Sequence, residues 1–263
     1  MKRLRVSVVQ YLNTAPLVWG MWRGPQRGQF DLDFTVPSAC ARALASRQAD
    51  IGILPSIAYQ QIDGLRVIPN IAIAAKQEVR SVLLAGRKPI EEVRSVALDS
   101  SSRTSAALVR ILFHKLWKRE PNYVERAPDA QAMLAECDAA LLIGDPALKL
   151  ERRELRIYDL AREWWRLTGK GFVFAFWAVQ REKATPEVTE AFTASRAYGL
   201  AHLEEIADEM APQLELPREL VLSYFRENVD FLLDESNLAG LELFYRWAHE
   251  LGLASQVRAL EFI

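Results

Sequence analysis

The sequence predicts an α/β protein built as two lobes, and three observations carry that expectation. Short apolar runs alternate with helix-like segments through the first two thirds of the chain, the pattern of sheets with helices packed on them. The alternation breaks near residues 86–89 and again near 169–171, and from Thr185 onward every segment reads as helix. The 263 residues are 50% hydrophobic and 25% charged, ordinary for a globular chain long enough for one large domain or two small ones.

Val6-Ser7-Val8-Val9 reads as a buried strand, and Pro16 fits the first turn of the helix after it, where a missing N–H costs nothing. Asn13 and Thr14 then stand at or near the helix N-cap. That is also where an open α/β sheet meets its ligand, so capping and substrate contact both suit them. Residues 32–36 alternate like a strand. Pro37-Ser38 follows, then a helix over 39–48 and a short strand over 51–54 that stops at Pro55-Ser56. This is the β-α-β-α-β order of a parallel sheet. Its three strand ends carry amides and hydroxyls that would line one rim, although caps at every turn would look similar.

Residues 67–75 and 81–85 read as two more strands. The alternation then restarts with a strand over 95–98, a helix over 104–117, a strand over 123–126, a helix over 129–136 and a strand over 139–143. This middle block reads as a second, smaller parallel unit. A short helix over 159–165 precedes Thr168-Gly169, which serves either to close over a ligand or as a turn. Residues 172–179 form the most apolar strand, and helices follow over 186–202, 204–210, 217–225 and 237–251. Tyr224-Phe225, Phe231-Leu232-Leu233 and Leu241, Leu243, Phe244 and Trp247 recur at helical spacing and read as packing. Lobe one is expected to take residues 1–86 plus 172–263, and lobe two the inserted 87–171. With a ligand cleft between them, this is the plan of a two-lobe periplasmic-type binding protein.

Asp99-Ser100-Ser101-Ser102-Arg103-Thr104-Ser105 lies between a strand and its helix. It offers hydroxyls, an arginine and the free N–H groups of a helix N-terminus, which suit a carboxylate or phosphate. A plain serine-rich cap is the competing reading, and Arg103 serves equally well in a structural salt bridge. Asp145, in Gly144-Asp145-Pro146, reads as an acid or base at the cleft or as a helix cap. His114, His202 and His249 all fall inside helical patterns. No metal-ligand spacing, nucleophile elbow, phosphate loop or dinucleotide fingerprint occurs. Cys40 and Cys137 stand outside any motif and read as reduced thiols. A net charge of −1 gives no footprint for nucleic acid or an anionic membrane, and no apolar run approaches the ~20 residues of a membrane span. The apolar run after the basic start Met1-Lys2-Arg3-Leu4-Arg5 is too short for a signal segment, so a cytoplasmic protein is expected. A homodimer stays open.

Taken together, five motifs in order resemble the chorismate dehydratase family of the futalosine route to menaquinone. They are Tyr11-Leu12-Asn13-Thr14-Ala15-Pro16-Leu17; Leu54-Pro55-Ser56; Ser102-Arg103-Thr104-Ser105; Leu142-Ile143-Gly144-Asp145-Pro146-Ala147-Leu148; and Asp159 through Trp164 to Thr168-Gly169 with Phe172-Val173-Phe174-Ala175-Phe176-Trp177. The resemblance implies a periplasmic-binding-protein type II fold with mixed sheets and a helical tail. It also implies loss of water from chorismate to give 3-enolpyruvylbenzoate, with no metal or organic cofactor. On that expectation Asn13 is catalytic, and Thr14, Ser38, Ser56, Ser81, Ser102, Thr104, Ser105 and Asp145 bind substrate, with Ser38, Ser56 and Ser81 contributing from lobe one. The alternatives are the sister pathway enzyme acting on cyclic dehypoxanthine futalosine, and a solute-binding protein that does no chemistry.

Overall fold

The computed structural model describes residues 3–263, so Met1 and Lys2 of the basic start lie outside the described residues. The chain opens as β1 (Leu4–Val9), a 3-10 turn (Leu12–Thr14), α1 (Ala15–Trp22), β2 (Phe30–Thr35), α2 (Pro37–Ala45), β3 (Ile51–Pro55), a 3-10 stretch (Ser56–Gln61) and β4 (Leu65–Ala75). It continues as β5 (Val82–Gly86), β6 (Ser95–Asp99), α3 (Arg103–Leu112), β7 (Asn122–Arg126), α4 (Ala130–Glu136), β8 (Ala139–Ile143), α5 (Gly144–Leu148), β9 (Arg156–Asp159) and α6 (Leu160–Thr168). The remainder is β10 (Phe172–Gln180), then α7 (Pro186–Ala201), α8 (Leu203–Gln213), α9 (Arg218–Ser223), a π-helical turn (Tyr224–Asn228) and α10 (Glu235–Glu250).

Two five-stranded sheets result, ordered β2-β1-β3-β10-β4 and β7-β6-β8-β5-β9. In the first, β1 runs parallel to β2 and β3, while β10 runs antiparallel to β3 and β4. The second repeats the plan: β6 is parallel to β7 and β8, and β5 is antiparallel to β8 and β9. The antiparallel strand in each sheet is the one that arrives from the other sheet. It enters at the facing rim and must run back through the sheet.

This corrects two expectations. The strand at Val82–Gly86 belongs to the second sheet, with Leu84 opposite Leu141 of β8 and Tyr158 of β9, so the crossing falls before it and not at residues 86–89. The middle block is therefore mixed rather than parallel. The edge strand β9, which the sequence reading did not assign, completes it.

The burial pattern follows from position. β10 lies between two strands and is buried along almost its whole length, so it reads as a continuous apolar run. β2 is an edge strand and alternates. The helical tail packs on the first sheet: Phe172 meets Phe244 of α10 edge-on at 5.0 Å, and Trp164 of α6 meets Trp247 at 5.3 Å. Gly199 of α7 lets the helix approach α1 closely, since a Cβ there would lie 1.9 Å from the Pro16 carbonyl oxygen. Among the described residues no helix is long and apolar enough to cross a membrane. Cys40 and Cys137 are both free thiols.

Candidate active site

The carboxyl ends of the parallel strands in both sheets face one cavity, the expected place for a ligand in open α/β sheets. Tyr11 and Asn13 after β1, with Pro55 ending β3, form the wall on the side of the first sheet. Ser102, Thr104, Ser105 and Gly144 form the wall opposite. The empty space between them, mouth included, is about 540 Å³.

Contacts between the two walls hold the tips together. The Leu12 N–H donates to Asp145 Oδ1 at 2.9 Å, and the Ile57 N–H donates to Thr104 Oγ1 at 3.2 Å. Gly144 has φ +62, and a Cβ built on it would fall 2.7 Å from the Tyr11 ring. The ring lies flush against bare backbone that an alanine would deny it.

The lining includes no Asp, Glu, Lys, Arg or His; its polar members are Tyr11, Asn13, Ser102, Thr104 and Ser105, set among apolar side chains. Positive potential comes instead from backbone. The first turn of α3, ten residues long, presents N–H groups without helical partners beside the buried Ser102, Thr104 and Ser105. Behind this turn, Asp99 ends β6 and is buried. Its Oδ1 accepts the Ser101 N–H at 2.8 Å and hydroxyl at 2.7 Å, while its Oδ2 has no partner. Burial pushes the Asp99 carboxyl up. Burial raises the Tyr11 phenol as well.

The structure brings together Asn13, Ser102, Thr104 and Ser105 in the cavity lining. Thr14 is buried beside them and donates its hydroxyl to Asn13 Oδ1 at 3.3 Å. Neither side chain caps α1, so the capping alternative does not describe them. The other expected residues stand behind or outside the wall. Ser38 is half-buried in the first turn of α2, where its neighbour Pro37 lines the cavity. Ser56 is buried next to Pro55, with a hydroxyl that has no partner. Ser81 is buried, precedes β5 and therefore belongs with the second sheet, contrary to the expectation of lobe one. Arg103 is exposed.

Asp145 lies beyond Tyr11, lining a neighbouring space of about 910 Å³ with Trp22 and Phe34. It sits inside the first turn of α5 rather than at its cap, and it holds the first sheet through Leu12. Thr168 donates its hydroxyl to the Trp164 carbonyl at 2.8 Å, and Gly169 ends α6 at φ +68, so this pair is a helix terminus. The three histidines are engaged elsewhere: His202 Nδ1 with the Tyr198 carbonyl, His249 Nδ1 with the Ala254 carbonyl, and His114 beside Glu120.

Burial pushes the Asp145 carboxyl up to about 6, against the Leu12 N–H and Lys149, which pull it down. An unfolded aspartate titrates near 3.9, so between about pH 4 and 6 the folded protein binds more protons and its stability falls as pH rises. Asp145→Asn keeps the acceptor for Leu12 and removes the buried charge. The variant is expected to exceed the parent in stability at pH 7 by on the order of 2 kcal/mol and to match it near pH 4. Melting curves at the two pH values check this; equal midpoints at pH 7 would refute it.

Two comparisons bear on ancestry. The model of a family described as menaquinone biosynthesis matches residues 4–250. A chorismate dehydratase from Thermus thermophilus is 30% identical over 94% of this chain and 95% of its own length. The chain belongs to the menaquinone biosynthesis family. Solved structures show the fold of this family member. A protein from Archaeoglobus fulgidus superposes with a TM-score of 0.79 at 20% identity, covering 95% of this chain and 98% of the other. The alkanesulfonate-binding protein SsuA from Xanthomonas axonopodis pv. citri, bound to MOPS, gives 0.70 at 16% identity, covering 97% and 94%. The periplasmic aliphatic sulphonate binding protein SsuA from Escherichia coli gives 0.65 at 17% identity, covering 98% and 90%. The expected periplasmic-binding-protein-like fold is thus present.

In this menaquinone biosynthesis protein, residues that motif reading passed over also stand in or behind the cavity wall. Tyr11 stood inside the opening motif, between strand and helix, but an aromatic there looks like packing. Asp99 and Ser101 stood in the serine loop, where nothing in the spacing separates the side chains behind the wall from those lining it. Tyr224 lies 44 residues past the end of β10 in no recognisable motif, and only the folded chain brings its hydroxyl to Ser81 at 2.7 Å.

Proposed function

We propose that this protein is a chorismate dehydratase, a lyase that removes water from chorismate to give 3-enolpyruvylbenzoate. The 30% identity to the Thermus thermophilus enzyme along nearly the whole chain supports the reaction. The observation that carries the chemistry is the cavity wall: amide, hydroxyls and a helix N-terminus, with no Asp, Glu, Lys, Arg or His in the lining among the described residues. Such a wall suits a dianion that brings its own base.

The proton to be lost sits on the ring carbon bearing the enolpyruvyl ether, where the ring double bond conjugates it to the carboxylate. The enolpyruvyl carboxylate takes that proton. The C–O bond on the neighbouring carbon then breaks, hydroxide leaves and is protonated to water, and the ring becomes aromatic. Thr104, Ser105 and the α3 backbone N–H groups hold one carboxylate, with Ser102 beside them. Asn13 orients the second carboxylate or hydrogen-bonds the departing hydroxyl, with Thr14 fixing its amide. Ser81, Ser56 and Ser38 support the wall. Positioning of this kind is worth several kcal/mol of barrier. Asp145, turned to Leu12, supports closure and not proton abstraction; Asp145→Asn accordingly retains turnover.

The test is direct. Purified protein incubated with chorismate is expected to produce an aromatic ultraviolet spectrum and a product lighter by one water. Chorismate left unchanged would remove the proposal. The sister activity on a cyclised futalosine and simple solute binding have no comparable support, since the sulphonate-binding neighbours share the fold alone.

A further inference from the structure

We propose that Tyr224 is a positioning residue for the dehydration, holding the Ser81 side chain in the wall behind the cavity; this rests on reading the site as that of a chorismate dehydratase. Tyr224 opens the π-helical turn after α9, an irregularity that recurs at functional sites. The side chain is fully buried. Its hydroxyl donates to Ser81 Oγ at 2.7 Å.

The donor inventory then sets the direction. The phenol proton is committed to Ser81, which fixes that side chain in the wall behind the cavity. Ser81 stands between Val79 and Val82, a short distance in sequence on either side, and both of these line the cavity. One hydroxyl in the helical tail therefore sets the rotamer of Ser81, at the start of the strand that crosses to the second sheet. Phenylalanine would fill the same volume, so packing against Phe225 does not call for the oxygen. Burying a hydroxyl is unfavourable unless it is paired, and here its pairing is with the site.

The experiment compares the parent with Tyr224→Phe, Ser81→Ala and the double variant, measuring kcat and KM for chorismate together with thermal midpoints. Tyr224→Phe is expected to lose about tenfold or more in kcat with KM within about threefold. The double variant is expected to fall no further than Ser81→Ala alone, because both substitutions cut one hydrogen bond. Tyr224→Phe with near-parental kcat, losses that simply multiply in the double variant, or a Tyr224→Phe protein that does not fold would each overturn the inference while the dehydratase reading stands. A parent protein inert toward chorismate would overturn both.

Discussion

Replacing Asn13 with alanine is expected to lower kcat for chorismate about 10²-fold, the loss typical of removing one preorganised donor aimed at the reacting centre, with KM changed by no more than about threefold. Asn13 lines the cavity on the wall opposite α3, so the anion-holding groups Thr104 and Ser105 survive the substitution and binding is largely kept. Its amide oxygen accepts the Thr14 hydroxyl at 3.3 Å. The side chain is half-buried in the middle of a 3-10 turn and caps no helix, so the fold has little to lose. Initial rates by ultraviolet absorbance over a range of chorismate concentrations separate the two constants. An Asn13→Ala enzyme with near-parental kcat, or with all its loss in KM, would take the catalytic role from this residue.

The second large effect is on stability. Asp159 ends β9, is buried, and caps α6 by accepting the Ala161 and Arg162 N–H groups at 3.1 and 3.2 Å. The same carboxylate accepts the N–H of Val79 and of Arg80, the latter at 2.6 Å. One side chain thus anchors both a helix start and the segment that carries the chain from β4 to β5, where Arg80 adopts φ +62. Asp159→Ala strands several buried donors and removes a cap, for a loss of about 3 kcal/mol. That corresponds to a drop of roughly 10 °C in midpoint for a chain of this length. Asp159→Asn, which keeps one acceptor oxygen, is expected to recover part of it. Thermal denaturation of the three proteins reads the series, and an alanine variant within 2 °C of the parent (about 1 kcal/mol) would show that the cap carries no such weight.

How far residues alone disclosed this molecule depends on range. β1, β3 and β10 were legible because their apolar runs end in turn residues, and the site residues Asn13, Thr104 and Ser105 were legible because they follow such strands. Which sheet a strand joins is another matter. Val82–Gly86 has the same apolar pattern whichever partners it takes, and only its pairing with β8 and β9 decides. β9 is four residues long, lies at an edge and follows the charged run Glu151-Arg152-Arg153-Glu154, so no periodicity could build up. Asp145 was misread because a carboxylate after a strand looks like a cap, and its partner Leu12 lies more than a hundred residues away. Tyr224 packs in the core as its spacing indicated, but its hydrogen bond to the equally remote Ser81 could not be read from that spacing.

The position of β10 in the first sheet has a consequence for biosynthesis. It separates β3 from β4, so until residue 180 has left the ribosome β4 has no neighbour in that sheet. Every strand of the second sheet, by contrast, has been made by Asp159. The later-encoded half is thus the first that can be finished, and the chain's opening strands must stay in a waiting, edge-exposed state while it forms.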